Sequence, residues 1–229
     1  MSERELWVVR QSVTRYAEIL ELQRRLAAAR ITGEIPQDVL LLLEHEPVVT
    51  LGRSATDKNV IASRDFLAAQ GVELFEVERG GDVTFHSPGQ LVGYPIIDLK
   101  RHKQDLHWYL RQLEQALIST LGKFGVTAER NTGYTGVWTG GRKIASIGVH
   151  ARDWVTWHGF ALNVNNDLSY FDMIVPCGID GVVMTSVENE AEGDVTIDRI
   201  ASEFARELGA LLNLDTVDTV AADLLSGAT

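Results

Sequence analysis

Apolar residues along this chain recur at two periods. Leu6 to Arg10 reads as a short strand. Thr14 to Arg30 then sets Tyr16, Ile19, Leu20, Leu26 and Ala27 on one helical face, which Gly33 and Pro36 close. Val39 to Glu44 lacks polar alternation, which predicts a strand covered on both faces, and Val48 to Leu51 is expected to continue that sheet. Ser63 caps a short helix that ends before Gly71, and Val72 to Val77 follows as a strand. From Arg79 to Leu99 a glycine pair leads into DVTFH, a Ser87-Pro88-Gly89 turn and a second strand, the outline of a hairpin. Asp105 to Phe124 is the longest helical pattern, with Leu106, Tyr109, Leu110, Leu113, Leu117 and Leu121 on one face and Gly125 as its stop. Val137 to Thr139 and the run opening at Lys143 read as strands, and Arg152-Asp153 turns the chain into a further arm, Trp157 to Val164. Asn165 to Ile174 is irregular or briefly helical, the acidic stretch Glu188, Glu190, Glu192 and Asp194 is expected to be solvated, and Ile197 to Leu212 closes the pattern as a one-sided helix. Buried strands paired with covering helices predict an α/β or α+β architecture.

Composition narrows the picture. At 229 residues, 45% of them hydrophobic, the chain can bury a sizeable core without staples, and residues 1–214 are expected to form a single domain, with 215–229 a loosely held tail. Lysine and arginine total 21 against 32 acidic residues, a net charge of −11, which argues against general nucleic-acid binding or an anionic membrane surface. An acidic partner would need a local basic patch, such as Arg101, His102 and Lys103, or Arg142, Lys143 and Arg152. One cysteine excludes a disulfide framework and any multi-thiolate zinc site, so a reducing, cytoplasmic setting is expected. The amino-terminal MSERELWVVRQSV has no apolar core of a signal peptide, and the longest aliphatic run, Val39 to Leu43, is far short of a membrane span. Dinucleotide, P-loop, H-E-x-x-H and G-x-S-x-G signatures are all absent. His150 and His158 could meet across a hairpin, but without further ligands they predict no metal site.

The chemistry concentrates between Gly140 and Gly178. Lys143 opens a strand of small and apolar residues, and Cys177 lies between Pro176 and Gly178, a loop setting. A thiol attacks carbonyls as the thiolate, a minor species near neutral pH, so a neighbouring ammonium raises the reactive fraction. Each residue has a bland reading: an isolated cysteine is usually core, and a lysine at a strand start is usually a solvated charge. Spacing alone leaves open whether the two touch.

Three blocks go beyond generic patterning: RGGDVTFHSPGQLVGYPIIDL, GGRKIASIGVH with HGFALNV, and PCGI. Together, from Arg79 to about Ser186, they resemble the octanoyltransferases of lipoate biosynthesis. The resemblance implies a biotin- and lipoate-protein-ligase-like fold: an α/β (α+β) domain with a larger mixed sheet, a smaller sheet and flanking helices. It implies that Cys177 carries an acyl-thioester intermediate and that Lys143 favours the thiolate. It also implies substrate-binding roles for Arg79, Gly80, Gly81, Asp82, Val83, Thr84, Phe85 and His86, for Ser146, Ile147 and Gly148, and for Gly159, Phe160 and Ala161. Phe160 stands where the family commonly has leucine, which puts the acyl-length preference in question. The implied donor is octanoyl-acyl carrier protein, and the implied acceptors are lipoyl domains of 2-oxoacid dehydrogenase E2 subunits and the glycine cleavage H protein. No metal and no cofactor is implied, and no ATP is needed, because thioester to amide runs downhill. Burying an octanoyl tail is worth roughly 5 kcal/mol at ~0.8 kcal/mol per methylene. Backbone N–H groups near Cys177 and Gly178 are candidate oxyanion donors.

Three other functions compete. An ATP-dependent lipoate- or biotin-protein ligase on the same fold would need no cysteine nucleophile, so Cys177 speaks against it. A catalytically silent acyl- or lipoyl-domain-binding module would not need the Lys143 and Cys177 pair. A cysteine protease would use His86, His150 or His158 as base, and no Cys-His signature supports one.

Overall fold

The computed structural model describes residues 4–179, 181–193 and 195–224. Among these residues ten strands form two sheets. The chain begins with β1 (Glu5–Thr14), helix α1 (Tyr16–Thr32), β2 (Asp38–His45) and β3 (Val48–Leu51). It continues through α2 (Arg64–Ala69), β4 (Glu73–Glu76), β5 (Val83–His86), β6 (Gln90–Ile96) and α3 (Leu106–Lys123). Then come β7 (Gly136–Thr139), β8 (Arg142–Arg152), β9 (Val155–Asn163), α4 (Val187–Glu190), α5 (Ile197–Leu212), β10 (Asp215–Thr219) and α6 (Ala221–Leu224). The seven-stranded sheet runs β10-β1-β2-β6-β9-β8-β7 and is mixed, with β1 parallel to both β10 and β2 and its other pairs antiparallel. The three-stranded sheet runs β4-β3-β5.

Helices cover both faces of the large sheet, so β2 is buried nearly throughout and reads as a continuous aliphatic run. One face packs on α3 and α5, where Leu113, Leu117, Phe204 and Leu208 are fully buried. The other packs on α1 through Ile19, Leu26 and Tyr94. Asp105 caps α3 by accepting from the Trp108 N–H at 3.0 Å, and Gly33 ends α1 at φ 79°.

Four expectations are corrected. Val48 to Leu51 belongs to the smaller sheet and does not continue β2. β5 and β6 are not hairpin partners: β5 pairs with β3, and β6 with β2 and β9. The chain changes sheets at Gly89, whose φ of +88° and close approach to the Asn166 backbone exclude a side chain. Glu190 is not solvated, since it accepts from Thr185 and pairs with Arg142 at 2.9 Å; Asp194 lies outside the described residues. The segment after Leu214 pairs as β10 on the sheet edge, whereas residues 225–229 lie outside the described residues.

Candidate active site

Pro176 delivers Cys177 into a left-handed conformation, φ 57° and ψ 17°, and Gly178 follows at φ 65°. A non-glycine residue held there costs about 1–3 kcal/mol, and surrounding contacts must impose it. They are present. The Gly178 N–H donates to Val175 O at 3.0 Å, and the Val175 N–H donates to Asn59 O at 2.8 Å. Asn59 Nδ2 donates to Asp82 Oδ2 at 2.7 Å, while Asp82 Oδ1 accepts from the Val83 N–H at 2.7 Å. A Cβ at Gly178 would lie 2.5 Å from Asp82 Oδ2, so the cysteine turn rests directly on that carboxylate.

Lys143 reaches the same point from β8. Its N–H donates to Val183 O at 2.8 Å and its carbonyl accepts from the Thr185 N–H at 2.9 Å, which stitches the segment after Cys177 to the lysine's own strand. The side chain is 1% exposed, contrary to a solvated strand-start charge. Nζ lies 3.0 Å from Cys177 Sγ and 4.9 Å from the centroid of the Trp138 ring, whose face attracts the cation. Gly136 makes the room: a Cβ there would stand 3.0 Å from Lys143 Cε. Its N–H donates at 3.2 Å to Glu114, a fully buried carboxylate of α3 that also pairs with Arg111 and Arg130. Ser146 Oγ is 3.6 Å from Sγ.

Cys177 and Lys143 border a cavity of about 200 Å³ between the two sheets. Of the residues expected at a substrate site, Arg79, Gly81, Asp82, Thr84, His86, Ser146, Ile147, Gly148, Gly159, Phe160 and Ala161 line it. Gly80, Val83 and Phe85 do not. Gly80 instead donates its N–H to Val149 O at 2.8 Å, and Val83 and Phe85 pack in the core of the small sheet. The Phe160 ring lies over Gly93 and 4.2 Å from the ring of Phe204. Tyr16, Tyr94, Gly133, Tyr134, Thr135, His158 and Ile179 also line the cavity. Tyr94 sits inside the quoted RGG block, but Tyr16 is indistinguishable in sequence from any other apolar position of α1. The Gly178 N–H, already donated to Val175, drops out as an oxyanion donor. Among the described residues, no group of three or more His, Cys, Asp or Glu is placed to hold a metal ion.

Behind the lining residues Tyr94 and His86 lies a polar network. His45 Nδ1 donates to Thr14 O at 3.0 Å, so Nε2 accepts from the Tyr94 hydroxyl at 2.8 Å. Gln90 Nε2 donates to Phe85 O and Asn163 Oδ1, which turns Oε1 toward His86 Nδ1 at 2.8 Å and makes that nitrogen the donor. Burial lowers His45 to about 4 and His86 to about 3, so both are neutral at pH 7. Arg79, pulled below the ordinary arginine value by burial, donates to Thr50 Oγ1 and O and to Gly80 O.

This arrangement has the fold of the lipoate-protein ligases. A bi-partite lipoate protein ligase from Thermoplasma acidophilum superposes with a TM-score of 0.72 at 17% identity, over 98% of this chain and 91% of that one. The sequence carries the identification further. The lipoyl protein ligase A/B catalytic domain matches residues 15–209. An octanoyltransferase from Solibacter usitatus is 53% identical over 83% of this chain and 87% of its own length. One from Gloeobacter violaceus is 54% identical over 76% of each. The chain therefore belongs to the octanoyltransferase family of acyltransferases. No helix among the described residues is long and apolar enough to cross a membrane.

Proposed function

We propose that the protein transfers an octanoyl group from octanoyl-acyl carrier protein to the lysine amine of lipoyl domains, through a thioester on Cys177. The observation that carries this reading is the 3.0 Å contact between Lys143 Nζ and Cys177 Sγ at the edge of a cavity. In the first step Sγ attacks the thioester carbonyl, a new carbon–sulfur bond forms, the bond to the carrier's thiol breaks, and that thiol leaves with the proton. In the second, the amine attacks the Cys177 thioester, an amide forms, and Cys177 is released. The Lys143 ammonium stabilises negative charge on sulfur in both directions, and its neutral form is the base that deprotonates the incoming amine. Ser146, Gly148, Gly159 and Ala161 keep the floor of the cavity free of bulk, and Arg79, Gly81, Asp82, Thr84 and His86 form its roof. Lipoyl domains of 2-oxoacid dehydrogenase E2 subunits and the glycine cleavage H protein are the acceptors this chemistry suits.

Intact-protein mass spectrometry after mixing with octanoyl-acyl carrier protein and no ATP tests the reading. One hydroxylamine-labile octanoyl on the wild type, absent from Cys177→Ser and discharged by a lipoyl domain, is expected. Octanoylation of the lipoyl domain only with free octanoate and ATP would overturn it in favour of a ligase.

A further inference from the structure

His158, on the cavity wall, is held there against two physical penalties. Its side chain is 1% exposed, yet neither Nδ1 nor Nε2 has a hydrogen-bond partner among the described residues. Nε2 stands 3.9 Å from Glu78 Oε1, beyond hydrogen-bond reach, and that carboxylate already accepts from Arg24 and Trp157. Burial holds the imidazole below its ordinary pKa, so at pH 7 it is neutral and forms no ion pair. Its backbone is also left-handed, at φ 55°. Strand alternation would put the ring with Phe160 on the α3 and α5 side. The left-handed turn, fixed by the His158 N–H donating to Gln23 Oε1 at 2.9 Å, brings it edge-on to the Tyr94 ring at 6.3 Å instead. A buried side chain that is both unpaired and strained destabilises the fold, so its position answers to the cavity.

Along the strands that position marks an end. Cys177 Sγ lies 3.6 Å from Ser146 Oγ, and Ser146 pairs with Ala161. From there the cavity lining runs along β8 to Gly148 and along β9 to His158. The next pair, His150 and Trp157, does not line the cavity and closes ring against ring at 4.3 Å. Ala161 to His158 is three residues, about 10 Å at ~3.3 Å per residue. With carbon–carbon bonds of ~1.5 Å in a zigzag, an octanoyl chain spans about 9 Å from its carbonyl carbon to its methyl. Behind the ring stands Glu78, paired with Arg24, whose side chain is 46% exposed, so the imidazole stands between the slot and the surface. We infer that His158 sets the acyl length in the transfer proposed above, on which this reading rests: its ring is the stop that ends the slot at eight carbons and walls the terminal methyl off from the Glu78–Arg24 pair.

Calorimetric binding of free hexanoate, octanoate, decanoate and dodecanoate tests the inference, alongside thioester loading of the same preparation. Glycine adopts a left-handed φ without strain and asparagine tolerates it, so His158→Gly and His158→Asn remove the ring while keeping the backbone. In the wild type, affinity should rise from six to eight carbons and fall about tenfold at ten, where the chain overfills the slot. In His158→Gly, decanoate should bind at least as tightly as octanoate, a shift of about tenfold in the ratio, against the roughly fifteenfold that two fully buried methylenes are worth. His158→Asn should move the ratio part of the way. An unchanged ratio in both variants, with or without uniformly weaker binding, would overturn the inference, as would a ratio that moves in His86→Ala and not in His158→Gly. Because acid binding needs no chemistry, failure of Cys177 to load would overturn the transferase reading while the binding ratio still decides this one.

Discussion

A lysine whose charged end is 3.0 Å from a thiol and pressed against an indole has few uses outside chemistry, because burying an ammonium without a carboxylate is costly. Lys143→Arg separates its two proposed roles. Arginine keeps the positive charge but cannot give up its proton. Single-turnover rates should show acylation of Cys177 reduced no more than about tenfold, and transfer to the amine reduced about a hundredfold or more. Equal losses in the two steps would remove the general-base role. The same residue marks how far sequence reasoning reaches: the identity of Lys143 and Cys177 as a candidate pair was legible in the chain, but their contact was not. Thirty-four residues separate them, and the link runs through backbone pairing of Val183 and Thr185 with Lys143, which no local pattern encodes.

At the scale of elements, the cysteine turn is held by the small sheet. Asp82, just before β5, bonds Asn59 and supports Gly178, so the element that roofs the cavity also sets the position of Cys177. Asp82→Ala should lower the maximal acylation rate about tenfold with KM nearly unchanged, and Asp82→Asn, which keeps an acceptor for Asn59, should recover most of it. Equal loss in both variants, tracking a drop in melting temperature, would mean that Asp82 serves only the fold. The helices α1, α3 and α5 were visible as one-sided apolar stripes, and β2 as a run buried on both faces. The assignment of strands to sheets was not. A turn signal at Ser87-Pro88-Gly89 looks the same whether the chain returns along its own strand or crosses to another sheet, and the Gly89 approach to Asn166 that decides it is a long-range contact.

For the molecule as a whole, the neutral histidines beneath the cavity make stability depend on acid. Above pH 6.5 the folded and unfolded chains both hold neutral histidine. As the pH falls below that value, the unfolded chain takes up protons that His45 in the folded state refuses until about pH 4, so stability falls across that window. His45 alone accounts for roughly 3 kcal/mol of lost stability between pH 7 and pH 4, and His86 adds to it. Urea midpoints measured across this range should decline, less steeply in His45→Gln; a flat profile would mean that water reaches these rings.

What the sequence by itself determined is what local period and residue chemistry can carry: which stretches are helix or strand, which faces are apolar, and which few residues are candidates for the chemistry. Only the tertiary structure decided the division into two sheets, the left-handed cysteine turn on Asp82, and the closing of the cavity by Tyr16, Tyr94 and His158. Those depend on contacts between residues tens of positions apart, where the free energy comes from burial and pairing across elements and leaves no periodic trace along the chain.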